Sequence, residues 1–285
     1  MSAVMPSVAK DSHTATPDYA RAGRLGLGTP QANPTVEAEI RRLLPFDVDY
    51  VTLRLTCPSS DPTTRLKAYL TDLPLHAQQF AGMKIDAFLF ACTATSYLLD
   101  AATQERAIAE AQAVLGAPVI TAPAALIAQL QSVGAHRIAL VSPYPASIMT
   151  AAVRWWRAQG FDVVSQGGVD IHSDDTVHIY GLQSTNAWSA LRQMDIGNAD
   201  AVLLSGTGMP SLPLIERASA HFGVPVISSN LALAREGLKR FGLTPALHDR
   251  SWHHDNDLEP DSPPAGAGVC GRWHDWCHAG CAADC

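Results

Sequence analysis

An internal repeat constrains this chain more than any other feature. RLGLGTPQANPTVEAEIRRLL, from Arg24, is echoed by HRIALVSPYPASIMTAAVRWW, from His136; each runs from an apolar stretch through Thr-Pro or Ser-Pro into a helical pattern. KIDAFLFACTATSYL, from Lys84, is echoed by NADAVLLSGTGMPSL, from Asn198, and LGAPVITAPAALIAQLQSVG, from Leu115, by FGVPVISSNLALAREGLKRFG, from Phe222. The echo pairs Arg24 with Arg137, Asp86 with Asp200, Thr93 with Thr207, and Pro118 with Pro225. Each copy holds several strand-like runs, so the repeat predicts two similar lobes and not a solenoid.

Within the first copy, β-rich apolar runs alternate with helical patterns. RLGLGT, DYVTLRLT, KIDAFLFACT and APVIT read as strands, while TVEAEIRRLL, TTRLKAYLTDLPLHAQQFAG and QERAIAEAQAVLG read as helices. Buried strands joined by helices give an α/β fold with parallel sheets flanked by helices. The expected architecture is two pseudo-symmetric lobes with the active site in the cleft between them. Residues 1–23 read as a flexible leader, 24–121 with about 226–246 as the first lobe, and 122–225 as the second. The 247–285 segment has no period and reads as a disordered tail. Its Cys270, His274, Cys277, His278 and Cys281 lack a compact Cys-x-x-Cys pair, so a solvated tail is expected there and not a metal site.

The charge balance narrows the function classes. Lys and Arg total 20 against 27 for Asp and Glu, which leaves no basic surface for nucleic acid or an anionic membrane. No apolar stretch reaches the ~18 residues of a membrane span, and the expected location is the cytoplasm. The body holds two cysteines, Cys57 and Cys92, which is no disulfide framework. Helices rich in Ala and Leu could support a homo-oligomer.

In parallel α/β sheets, ligands sit beyond the carboxyl ends of the strands. That points to Thr29-Pro30, Cys92-Thr93, Ser142-Pro143-Tyr144 and Gly206-Thr207-Gly208, which two facing lobes would gather around one cleft. Cys92 then faces Gly206, its partner under the repeat. A helix start after Cys92 would favour its thiolate; a free cysteine can equally be a small buried hydrophobe, and position alone leaves both readings open. Cys57, followed by Pro58, reads as core. The Gly206–Gly208 loop can turn backbone amides toward an anion, with a Thr93 hydroxyl beside them. Residues 24–246 hold no G-x-G-x-x-G, Walker A, H-E-x-x-H or G-x-S-x-G, the one G-x-G-x-x-G (Gly266, Gly268, Gly271) falls in the tail with no strand-like run before it, and no cofactor is expected.

PQANPTVEAE, ACTATS, SPY and LLSGTGMPSL together resemble the aspartate/glutamate racemase superfamily, in its maleate isomerase and arylmalonate decarboxylase branch, over roughly residues 24–245. The resemblance implies a catalytic Cys92 and a carboxylate or oxyanion site from Asn33, Thr93, Tyr144, Gly206, Thr207 and Gly208. Racemases of the superfamily generally use two facing cysteines, whereas Gly206 stands at the second position here. A second thiol at 206 would then be expected to restore a two-base pair. Asp175 falls where the isomerases carry an Asn, and a carboxylate there would repel a second substrate carboxylate. The resemblance implies a cofactor-independent enzyme acting on a small carboxylate, and one thiol permits two mechanisms. Its reaction would be decarboxylation and protonation of a malonate-type acid or cis–trans isomerisation of a maleate-like acid. An amino-acid racemase and a non-catalytic carboxylate-binding protein are the alternatives.

Overall fold

Two four-stranded parallel sheets carry the fold. The computed structural model describes residues 18–80 and 82–246. β1 (Gly23–Pro30), β2 (Val48–Leu55), β3 (Ala87–Phe90) and β4 (Val119–Thr121) pair in the order β2-β1-β3-β4. β5 (Arg137–Ser142), β6 (Asp162–Gly168), β7 (Ala201–Leu204) and β8 (Val226–Ser228) repeat it as β6-β5-β7-β8. The helices of the first copy are α1 (Thr35–Leu43), α2 (Pro62–Thr71), α3 (Leu73–Ala77), α4 (Ala94–Leu98), α5 (Ala101–Leu115) and α6 (Ala122–Ser132). Those of the second are α7 (Ala146–Ala158), α8 (Ser184–Leu191), α9 (Ile215–Phe222) and α10 (Ser229–Leu238). None of these helices is long and apolar enough to cross a membrane.

The repeat holds at the level of single hydrogen bonds. Arg24 N donates to Asp86 Oδ2 and Arg137 N to Asp200 Oδ2, both at 2.8 Å. Phe88 N meets Pro118 O and Val202 N meets Pro225 O, again both at 2.8 Å. At the strand ends, Ala91 N donates to Gly28 O and Ser205 N to Val141 O. Ala91 and Ser205 are therefore equivalent, and the next residue in each copy is Cys92 or Gly206. Thr121 caps α6 and Ser228 caps α10 in the same way, each side chain accepting from an amide three residues on.

Local sequence explains how closely the sheets are covered. Gly26 pairs with Phe88 across β1 and β3. A Cβ on Gly26 would lie 2.6 Å from the Phe88 ring, and one on Gly28 at the same distance, so these two residues must be glycine for the ring to lie against β1. On the other face of β1, Leu25 and Leu27 are fully buried. α6 and α10, which follow equivalent strands, pack on each other, and α10 also packs on α1, β3 and β4.

Some expectations needed correction. The single helix expected over 63–82 is broken: α2 ends at Thr71, Pro74 starts a new turn in α3, and a short 3-10 turn follows. The helix start expected after Cys92-Thr93 is the five-residue α4, whereas the half-polar β6 carries no strand signal in the sequence. The first strand starts at Gly23, and Ala22 N already donates to Asp47 O. Residues 1–17 of the expected leader and the expected 247–285 tail lie outside the described residues.

Candidate active site

The carboxyl ends of β1, β3, β5 and β7 enclose a narrow cavity of about 20 Å³, room for little more than one water molecule. Its lining includes Asn33, Cys92, Tyr144, Gly206, Thr207 and Gly208, so six of the seven residues marked from sequence meet there. Thr93 does not line it; its side chain is buried and its hydroxyl meets Tyr144 Oη at 2.7 Å. The sequence reading missed Leu66 of α2 and Thr176, Ile179 and Tyr180 of the 3-10 turn after β6, which complete the wall. Nothing in their local pattern marks them, because their role depends on how two distant segments meet. Cys57 is not in the wall; it is buried in the hydrophobic core and its amide donates to Gln31 Oε1.

A polar seam ties the lobes together around the cavity. Thr207 Oγ1 donates to Ala91 O at 2.8 Å, Asn33 Nδ2 to Thr207 Oγ1 at 3.4 Å, and Thr35 Oγ1 to Gly208 O at 2.9 Å. Tyr97 Oη and Ser205 Oγ meet at 2.7 Å, and Trp156 Nε1 donates to the same phenol at 3.1 Å. The deepest tie is Glu39. It sits on the apolar stripe of α1 beside Val36, Ile40 and Leu43, fully buried. Its carboxylate accepts from the amides of Ser211 and Leu212, at 2.6 and 2.9 Å, and from Asn230 Nδ2 at 2.7 Å. Burial raises its pKa, and these donors pull the other way. Asn230 also donates to Thr207 O at 3.0 Å, so Glu39 and Asn230 hold both ends of the 207–212 loop. A lone acid on an apolar helical stripe was the one available sequence signal for this clamp.

Glycine is required at both flanks of Thr207. Gly206 has φ +143°, and a Cβ there would lie 2.9 Å from Pro143 Cδ. A Cβ on Gly208 would lie 2.8 Å from the Tyr180 ring. The Gly206 amide is engaged with Ser229 Oγ at 3.1 Å, whereas among the described residues no acceptor meets the amides of Thr207 or Gly208. Those two are the donors free to meet an oxyanion. The same geometry overturns the expectation that a second thiol could simply be placed at 206: Pro143 and the backbone conformation both oppose a side chain there.

The electrostatics around Cys92 also differ from expectation. The thiol is 3% exposed. Burial raises its pKa, and the Thr95 hydroxyl with the amides of Thr95 and Ala94 opposes that rise without cancelling it. Desolvation therefore outweighs the helix start, and α4 is only five residues long. The phenols of Tyr69, Tyr97, Tyr144 and Tyr180 all feel the sulphur's charge and are all pushed up by burial, Tyr97 to about 12. They are neutral hydrogen-bond donors at any ordinary pH. Asp175 presents no bare charge: its carboxylate pairs with the Arg65 guanidinium of α2 and caps Val177 N at 3.0 Å. Among the described residues no cluster of three or more His, Cys, Asp or Glu side chains is placed to hold a metal ion.

Two parallel α/β lobes related by an internal repeat, closing on one cavity at the carboxyl ends of both sheets, define a two-lobed α/β fold, and the relatives that share it make it an enzyme of the isomerase and lyase type. The arylmalonate decarboxylase family profile matches residues 25–250, and the chain belongs to that family. Among curated relatives, the maleate isomerase of Nocardia farcinica is 28% identical over 236 residues, covering 79% of this chain and 92% of the relative. Among solved structures, a cysteine-to-serine mutant of the Nocardia farcinica maleate cis-trans isomerase with a covalently bound succinylcysteine intermediate has a TM-score of 0.70 at 25% identity, covering 79% of this chain and 97% of that one. An arylmalonate decarboxylase crystal structure, at 18% identity and TM-score 0.63 over 77% of this chain and 92% of that one, shares the fold.

Proposed function

We propose that this chain is a cofactor-independent cis–trans isomerase of a maleate-like dicarboxylate, with Cys92 as its nucleophile. The observation that carries this reading is the lone thiol: Cys92 lines the cavity and its equivalent in the second copy is a glycine that resists substitution. Isomerisation by addition and elimination consumes no proton, so one thiol suffices. The Cys92 thiolate adds to one alkene carbon, forming an S–C bond while the π pair moves onto the neighbouring carbon and its carboxylate as an enediolate. Rotation follows about what is now a single bond. The pair then returns, the S–C bond breaks, and the thiolate leaves with the trans acid. The free amides of Thr207 and Gly208 and the Tyr144 phenol are the groups suited to the enediolate, with Thr93 orienting Tyr144 and Asn33 facing the other carboxylate. The relationship to maleate isomerases, and the succinylcysteine in a neighbouring structure, support the same assignment.

The test is incubation with maleate in heavy water, followed by proton NMR. Fumarate free of deuterium is expected; no conversion, or deuterium on the alkene carbons, overturns the reading. A second reading is favoured by the buried, protonated thiol and by the family relationship. Here a malonate-type acid loses carbon dioxide as its C–C bond breaks, and Cys92 gives its S–H proton to the enediolate. A two-base racemase lacks its second base.

The two readings differ in sign with pH. A nucleophilic thiolate makes kcat/KM climb as pH rises toward the elevated Cys92 pKa, whereas a proton-donating thiol makes activity fall through it. A pH–rate profile on maleate and on phenylmalonate separates them.

A further inference from the structure

Arg65 is not one of the residues that line the cavity, yet its ion pair joins two segments that do. It precedes Leu66, which lines the wall from α2, and its guanidinium pairs with Asp175, which precedes Thr176 on the opposite wall. The pair therefore joins one lobe's helix to the other lobe's 3-10 turn, next to Leu66 and Thr176 of the cavity wall. The Arg65 side chain is only 12% exposed, and its charge acts on both Tyr69 and Tyr180, phenols that also feel Cys92. The residues lining the cavity carry no cationic side chain of their own. A dicarboxylate entering this space would leave one carboxylate uncompensated unless a cation reached it, and a half-desolvated carboxylate without a partner is costly.

Resting on the isomerase reading above, we propose that Arg65 is the specificity-determining receptor for the substrate's distal carboxylate, and that Asp175 is its place-holder in the empty enzyme. The entering carboxylate takes over the guanidinium, a planar donor fork suited to carboxylates. Asp175 moves aside while keeping its cap on Val177 N. The exchange conserves charge beside the cavity: one carboxylate replaces another on the same cation. It also removes the conflict expected from an acid at position 175. The site accordingly selects a diacid whose two carboxylates lie on adjacent carbons over a monoacid of the same size.

Calorimetric binding on a Cys92→Ala background, where nothing turns over, tests this with maleate and with crotonate as the monoacid probe. Arg65→Gln should weaken maleate about tenfold or more, the scale of one charge-assisted contact, and leave crotonate nearly unchanged. Asp175→Asn keeps an acceptor for Val177 N but no longer competes, so maleate should bind several-fold tighter; this arm stands even if Arg65→Gln fails to fold. Equal weakening of both acids by Arg65→Gln, or no gain with Asp175→Asn, overturns the proposal. Binding of maleate that depends on Arg65, without turnover by the intact enzyme, sinks the isomerase reading and leaves the receptor standing. Turnover that is indifferent to both substitutions does the reverse. Absence of saturable maleate binding defeats both.

Discussion

At the scale of single residues, Cys92 is held between two opposed effects, and burial wins. Its alkylation by iodoacetamide should be slow in the ligand-free enzyme at neutral pH and accelerate above the ordinary thiol range, since only the thiolate reacts. Cys92→Ala should fold normally and lose turnover, while Cys57→Ala, in the core and away from the cavity wall, should keep it; a turnover assay beside a melting curve for each decides this. The elevated pKa also carries a stability consequence. The neutral thiol's contribution is intact below the unfolded-chain pKa and is lost as pH rises through the folded one, so wild type should lose more stability at alkaline pH than Cys92→Ala. Gly206→Cys faces Pro143 at 2.9 Å in a backbone conformation that side chains avoid. It should cost roughly 2 kcal/mol or more in chemical denaturation, before any second-base activity could appear.

At the scale of elements, the 207–212 loop is shaped less by its own sequence than by α1 and α10. Glu39 answers two amides and the Asn230 side chain, all buried, and those donors would be orphaned by its removal. Glu39→Ala should lower unfolding free energy by about 3–5 kcal/mol, because each buried donor left without an acceptor costs about 1–3 kcal/mol. Glu39→Gln should recover only part of this, because its amide group must face one of the same donors. A loop displaced by that change would lower kcat on maleate beyond what the loss of folded protein explains. Measuring kcat on the folded fraction separates the two effects. A near-neutral Glu39→Ala would show that the loop holds its own shape.

At the scale of the whole molecule, the two lobes do not stand apart around an open cleft. Thr207 to Ala91, Thr35 to Gly208, Tyr97 to Ser205 and Arg65 to Asp175 lace them across a narrow cavity. Such a seam should make the lobes unfold together, so thermal melts followed by tryptophan fluorescence and by far-UV circular dichroism should coincide. Two separated transitions would contradict it.

The repeat, read as sequence, determined the architecture: paired Arg, Asp and Pro residues mark equivalent strand starts, and a few residues on lie the carboxyl ends where parallel α/β sheets present ligands. Asn33, Cys92, Tyr144, Thr207 and the glycines of the 206–208 loop were legible for that reason, being local to a strand end. What tertiary structure alone decided is everything that depends on two distant segments meeting. Leu66 and Tyr180 reach the site from separate lobes, Thr93 turns away to Tyr144, and Asp175 is neutralised by a helix more than a hundred residues earlier. The state of the thiol belongs to the same class. A helix start is written in the sequence, but desolvation is set by how completely the packed lobes exclude water, and here it dominates.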